Sequence, residues 1–226
     1  MSEPKRDIMI FAAGFGTRMA PLTDAMPKPL IKVAGVTLID HAVAMARGHT
    51  REIHVNAHYR AEQLADHLPG DVVIHIEHPA ILDTGGGLKA ALPQMRGTSV
   101  FALNSDAVFT GPNPLQVLND AWQDHMEALL LLIPLARTVG YTRPGSFVQD
   151  QDGALVVDDA GLAYTGAQII RREVVEQTEG DVFSLWKIWE VLLARKTAFG
   201  VGYPGQWADV GTPEGITLAE EMLRNV

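Results

Sequence analysis

The chain of 226 residues contains no cysteine. Disulfides, thiolate catalysis, Cys-ligated zinc and iron–sulfur clusters are therefore excluded, and a reducing, cytoplasmic setting is the simple expectation. Long apolar runs are missing as well. The longest, residues 8–16 and 128–135, fall short of the ~20 residues that a bilayer-spanning helix needs. Lys5 and Arg6 precede the first run in the manner of a secretory signal. That run passes into Gly14-Phe15-Gly16-Thr17-Arg18 instead of a cleavage site, so a strand and loop are expected there. Cations are scarce too: 18 Lys and Arg stand against 27 Asp and Glu, a net charge of −9. That balance argues against a nucleic-acid binder and against a polybasic membrane anchor. No repeat, low-complexity tract or linker divides the chain, and one domain over residues 1–226 is expected.

What is present is globular in kind. The chain is 47% apolar and 20% charged, and it is long enough to bury a sizeable core. Residues 1–35 hold five cations (Lys5, Arg6, Arg18, Lys28, Lys32) against three acids (Glu3, Asp7, Asp24). A locally positive segment on an acidic protein suits an anionic small ligand. Short continuous apolar runs lie at residues 8–11, 53–55, 72–74, 100–103 and 129–133. Strands buried on both faces read this way. Helical spacing falls between and after them: Leu38, Ile39, Ala42, Val43 and Ala46; Leu115, Leu118, Ala121 and Trp122; Leu185, Ile188, Trp189 and Leu192. Thr212-Pro213 opens a final helix with Ile216, Ala219, Leu223 and Val226 on one face. Residues 140–170 carry Gly, Asp and Pro punctuation around short β-prone pieces. The pattern predicts an α/β fold: a doubly wound, mostly parallel, Rossmann-like sheet with helices on both faces and a small antiparallel excursion.

The first apolar run ends in Gly14 and Gly16. Glycine permits positive φ and close approach to a ligand, and successive amides there can cradle an anion. Arg18 and Lys28 add a forked and a compact cation for phosphate oxygens, and Pro27 and Pro29 stiffen the backbone around Lys28. The loop lacks the third glycine of a dinucleotide fingerprint, where Met19 stands, and no Gly-Lys-Ser/Thr occurs. Asp106 lies just past the run at 100–103, where a strand's carboxyl end can hold a cation over a ligand crevice. His54, His58, His75 and His78 lack the helical His-Glu-x-x-His setting of a zinc site. Trp186 and Trp189 read as core.

Ala12-Ala13-Gly14-Phe15-Gly16-Thr17-Arg18, with Pro21, Thr23 and Pro27-Lys28-Pro29-Leu30, resembles the signature of the sugar-1-phosphate nucleotidyltransferases. Three more blocks follow in that family's order: Asp83-Thr84-Gly85-Gly86-Gly87-Leu88-Lys89-Ala90, Leu103-Asn104-Ser105-Asp106 and Trp207-Ala208-Asp209-Val210-Gly211-Thr212. The resemblance is greatest to the short, single-domain form that uses UTP and N-acetylmuramate 1-phosphate. It implies transfer of a nucleoside monophosphate from an NTP to a sugar 1-phosphate with release of pyrophosphate. It further implies that Asp106 and Asp209 jointly bind Mg²⁺, and that Arg18 and Lys28 serve catalysis. Ala12, Ala13, Gly14, Gly16 and Thr17 would bind the nucleotide, with the Gly14 to Thr17 amides at its pyrophosphate, and Asp83, Thr84, Gly85 and Gly86 would lie on the base side. Asn104, Gly145, Thr165 and Gly166 would line the sugar pocket. Three departures stand out. Ser105 replaces a common glycine, no Glu-Lys pair occurs in residues 146–163, and Gly35-Val36-Thr37 lacks a proline, although Thr37 can cap the helix. Other acceptors remain open: glucose, mannose or heptose 1-phosphate, or phosphocholine. So do a turnover-silent binding module and either a monomer or a small homo-oligomer.

Overall fold

The structure, a computed structural model, describes residues 5–225. Val226 of the expected terminal helix face lies outside them. The first apolar run forms β1 (Ile8–Phe11), which sits inside a seven-stranded sheet. On one side of β1 lie β4 (Ile53–Ala57) and β5 (Val72–Ile76). On the other lie β6 (Ser99–Asn104), β12 (Ala163–Arg171), β8 (Ala128–Ile133) and β13 (Ala198–Gly202). All pairings are parallel except those of β12, which runs antiparallel to both β6 and β8.

The continuous apolar runs are explained by helices on both faces. Ile8 and Ile10 of β1, Phe101 and Leu103 of β6, and Leu129 and Leu131 of β8 point to one side. There they meet α1 (Leu38–Ala46), α2 (Ala61–His67) and α4 (Pro114–Ala121). Met9, Val100, Leu130 and Leu132 point to the other, against α3 (Asp83–Ala91), α5 (Arg172–Glu176) and α6 (Leu185–Arg195). Each of these strand residues is thus removed from water, at ~25 cal/mol per Å² of apolar surface. Trp189 is buried in the second layer and donates its indole N–H to Gln168 Oε1 at 3.0 Å. Trp186, expected in the core, is 40% exposed.

Two smaller pieces position the site. The hairpin of β2 (Lys32–Val33) and β3 (Val36–Thr37) leads into α1, where Thr37 Oγ1 accepts the Asp40 N–H at 3.2 Å. A three-stranded sheet joins β7 (Ala107–Thr110), β14 (Gln206–Asp209) and β9 (Thr138–Val139). It is covered by α7 (Pro213–Arg224), through Ala219 and Met222. The expected antiparallel excursion is the hairpin of β10 (Phe147–Gln149) and β11 (Leu155–Val157). It is shorter than residues 140–170. From Ala163 the chain re-enters the main sheet, because residues 165–170 are buried on both faces of β12. A register shift at Tyr164/Gln168 brackets Gly166, whose φ of +84° is open to glycine without strain.

Candidate active site

A cavity of about 300 Å³ opens beyond the carboxyl ends of β1, β4 and β6, the place where open α/β sheets bind ligands. Its floor is the loop after β1. Ala12, Ala13, Gly14, Gly16, Thr17 and Arg18 all line it. Gly16 has φ +65°, and a Cβ there would stand 2.8 Å from Lys28 Cβ, so glycine lets the loop close onto Lys28. At Gly14 nothing lies within 4 Å of where a Cβ would be, which leaves that side of the loop open to a ligand. Asp83 and Thr84 form one wall, with Ile81 beside them. Asp83 adopts φ +62° and its Oδ1 accepts the Thr84 N–H at 2.6 Å. Asn104 and Asp106 form the other wall.

Asp209 reaches this region through the small sheet. In the β7–β14 ladder Asp209 faces Ala107, and Val210 N–H donates to Asp106 O at 3.1 Å. Two carboxylates 103 positions apart are thereby neighbours in space. Cations surround them. Lys28 Nζ donates to Asp106 Oδ2 at 2.5 Å, with both side chains largely buried. Arg143 Nη2 donates to Asp209 Oδ2 at 3.1 Å, and its guanidinium lies over the Tyr141 ring. Arg18 packs on Gly211, where a Cβ would stand 3.1 Å from its Nη2. Arg18 and Gly211 line both the main cavity and a smaller one of about 160 Å³ that contains Asp209 and Arg143. Burial pushes the Asp209 carboxyl up, the Asp106 charge pushes it further, and Arg143, Lys28 and Arg18 oppose them.

These residues fit a divalent cation. Two adjacent carboxylates, one resisting ionisation because of its burial and then of the other's charge, form a hard-oxygen donor set whose charge a cation relieves. A second acidic group, Asp7 with Glu52 and His54, lies at the opposite end of β1 and β4. Its buried carboxylate, Asp7, already accepts from Arg51 Nε and Nη2 at 2.8 and 2.7 Å and from Arg96 N–H at 2.6 Å. That donor set is neutralised within the protein.

Asp209 lines only the smaller cavity, and five other residues expected in the site, Gly85, Gly86, Gly145, Thr165 and Gly166, line neither. A Cβ at Gly85 would fall on the Phe183 ring, and one at Gly86 on Asp181 O. Close approach does require these glycines, but protein approaches them, not open space. Gly145 packs in the same way against Gly161. Thr165 is buried and its hydroxyl donates to Leu131 O at 2.9 Å. Gly166 lies against the Asn104 side chain and so seats that wall residue from behind. Three residues near or in the cavity lie outside the motif blocks: Asn56, Glu77 and Arg143. A polar Asn56 directly after the apolar run at 53–55 was the legible clue to the first.

The MobA-like NTP transferase domain matches residues 8–176, which run from β1 to the end of α5 and take in the glycine loop, Lys28, Asp83 and Asp106. Asp209 lies beyond that match. The N-acetylmuramate alpha-1-phosphate uridylyltransferase of Caulobacter vibrioides is 33% identical, over 99% of each chain. That of Neisseria meningitidis serogroup B is 32% identical over 90% of this chain and 92% of the relative. Among solved structures, HddC from Yersinia pseudotuberculosis, complexed with GMP-PN, superimposes with a TM-score of 0.75 at 20% identity. It covers 96% of this chain and 99% of its own. The sheet order, the loop beyond its first strand and the full-length likeness converge, and the chain belongs to the MobA-like NTP transferase family and is a nucleotidyltransferase.

Proposed function

We propose that the protein transfers UMP from UTP to N-acetylmuramate 1-phosphate, releasing pyrophosphate, in the cytoplasm and as a single domain. Likeness to two uridylyltransferases of that acceptor over nearly the whole chain supports the substrate pair. One observation carries the chemistry: Asp106, Lys28 and Arg18 line the cavity that begins at the glycine loop, with Asp209 alongside.

In this reading an oxygen of the acceptor phosphate attacks the α-phosphorus of UTP. The new P–O bond forms as the bond to the β-phosphate oxygen breaks, and pyrophosphate departs. A phosphate monoester is already ionised near neutral pH, so the protein needs no strong base. Its work is to position two anions and offset their charge. The amides after Gly14 and the Arg18 guanidinium face the β- and γ-phosphates. Lys28 leaves its pairing with Asp106 to stand between donor and acceptor phosphates. Asp106 and Asp209 would hold Mg²⁺, which would supply Lewis-acid charge to the phosphates. Asp83 and Thr84 border the base, and Asn104 offers its amide to a sugar hydroxyl. A pyrophosphate-release assay with four triphosphates against N-acetylmuramate, glucose, mannose and heptose 1-phosphates and phosphocholine tests this. Highest kcat/KM is expected for UTP with N-acetylmuramate 1-phosphate. A clear preference for another pair would replace the substrate reading and leave the reaction class intact.

A further inference from the structure

Behind the cavity, one buried hydrogen-bond chain ties its floor, the loop after β1, to the wall at Asp83 and Thr84. Ala12 N–H, at the exit of β1, donates to Asn56 Oδ1 at 2.7 Å. Asn56 Nδ2 donates to Glu77 Oε1 at 2.7 Å, and Leu82 N–H donates to Glu77 Oε2 at 2.7 Å. Asn56 and Glu77 are 3% and 5% exposed. Leu82 is the residue before Asp83, whose left-handed backbone (φ +62°) opens α3. Gly87 of α3 closes over the chain. A Cβ there would stand 2.5 Å from Glu77 Oε1 and 2.8 Å from Asn56 Nδ2.

The polarity runs one way only. Ala12 and Leu82 both present N–H groups, so the inner pair must accept at both ends. Asn56 can turn its oxygen to Ala12 only by turning its amide to Glu77, and Glu77 must then accept twice. A carboxylate does that and an amide does not. Burial makes any donor–donor mismatch costly, because water cannot repair it.

We propose that Asn56 and Glu77 are positioning residues that set the base-facing wall, Asp83 and Thr84, relative to the phosphate loop, and so govern nucleotide affinity and base choice. The inference rests on reading the cavity as the nucleotide site with the base at Asp83 and Thr84.

The test is kinetic. Glu77→Gln forces a donor against Leu82 or Asn56, and Asn56→Asp sets two carboxylates face to face. Each is expected to raise the nucleotide KM about tenfold or more. The acceptor KM should stay near wild type, and the rate ratio of UTP to CTP should narrow. The double variant Asn56→Asp/Glu77→Gln restores every bond with the same net charge: Ala12 to the aspartate, the glutamine amide to the aspartate, Leu82 to the glutamine oxygen. Its nucleotide KM is expected within about threefold of wild type, well inside the loss expected of either single change. Turnover by the wild type checks the reading of the cavity separately. Given that turnover, an unchanged nucleotide KM in Glu77→Gln overturns the inference. So does a parallel change of both KM values, or a double variant no better than the singles. If Glu77→Gln fails to fold, the double variant decides alone, and a tenfold rise in its nucleotide KM overturns the inference.

Discussion

At the scale of single residues, charge placement separates catalysis from stability. Arg18 is exposed, packs on Gly211 and carries its charge toward Asp209. Arg18→Ala is expected to lower kcat by ~10²-fold, the usual cost of losing one stabiliser of developing charge, with an unfolding midpoint near wild type. Asp106→Asn is expected to lose at least as much, read in the same pyrophosphate assay. Asp209 behaves differently. Burial and the Asp106 charge hold its carboxyl above the ordinary range, so its ionised form costs stability once pH rises through that raised pKa. Asp209→Asn is therefore expected to unfold at higher temperature than wild type at pH 7 without divalent cation, while turnover falls. A lower melting temperature would show that the Arg143 pairing outweighs the burial of the charge.

At the scale of elements, two packing contacts make separate predictions. On β4 and β5, His54 Nδ1 and His75 Nε2 lie 2.9 Å apart with the rings stacked. Burial, then the neighbouring His54, pushes His75 down to about 4. Burial also lowers His54, against the opposing charges of Glu52 and Asp7 and with a smaller push from Arg51. The unfolded chain, with histidine near 6.5, binds more protons across pH 4–6.5. Stability should fall as pH drops through that window. Urea midpoints at pH 7.5, 6 and 5 are expected to decline, and less steeply in His75→Gln. On α3, Gly86→Ala would drive a methyl group into Asp181 O. A loss of ~1–3 kcal/mol is expected, as for other overpacked interiors. The loss should be the same with or without nucleotide, since the close neighbour is protein. A methyl tolerated in the free protein but not in the liganded one would return Gly86 to the nucleotide site.

For the whole molecule, charge distribution matters more than its sum. The net charge is −9, yet Arg18, Lys28 and Arg143 gather around two aspartates at one mouth of the sheet. Among the described residues no helix is long and apolar enough to cross a membrane. Binding of the magnesium nucleotide would join β1, β7, β14 and α3 through one ligand. At ~100 times Kd this adds ~2.7 kcal/mol to stability. A thermal shift titrated with Mg–UTP is expected to reach that level in the wild type and to shrink in Asp106→Asn. Equal shifts in both proteins would take the metal role from Asp106.

Much of this was legible along the chain. The five apolar runs became parallel strands, and Thr37 and Thr212 cap their helices. Ala12, Ala13, Gly14, Gly16, Thr17 and Arg18, with Lys28, Asp83, Thr84, Asn104 and Asp106, line one cavity. These features are local: apolar periodicity, loop glycines and strand-end carboxylates act through neighbours in sequence. The amino-acid order alone thus determined the strand and helix faces and the glycine loop that lines the cavity. Tertiary structure decided what neighbours in space impose. The β7–β14 ladder brought Asp209 to Asp106, packing by Phe183, Asp181 and Gly161 claimed glycines that looked free for a ligand, and β12 returned to the main sheet. The Ala12–Asn56–Glu77–Leu82 chain belongs to the same class. A buried hydrogen bond depends on the direction and distance of groups from different strands, and no spacing along one strand encodes either.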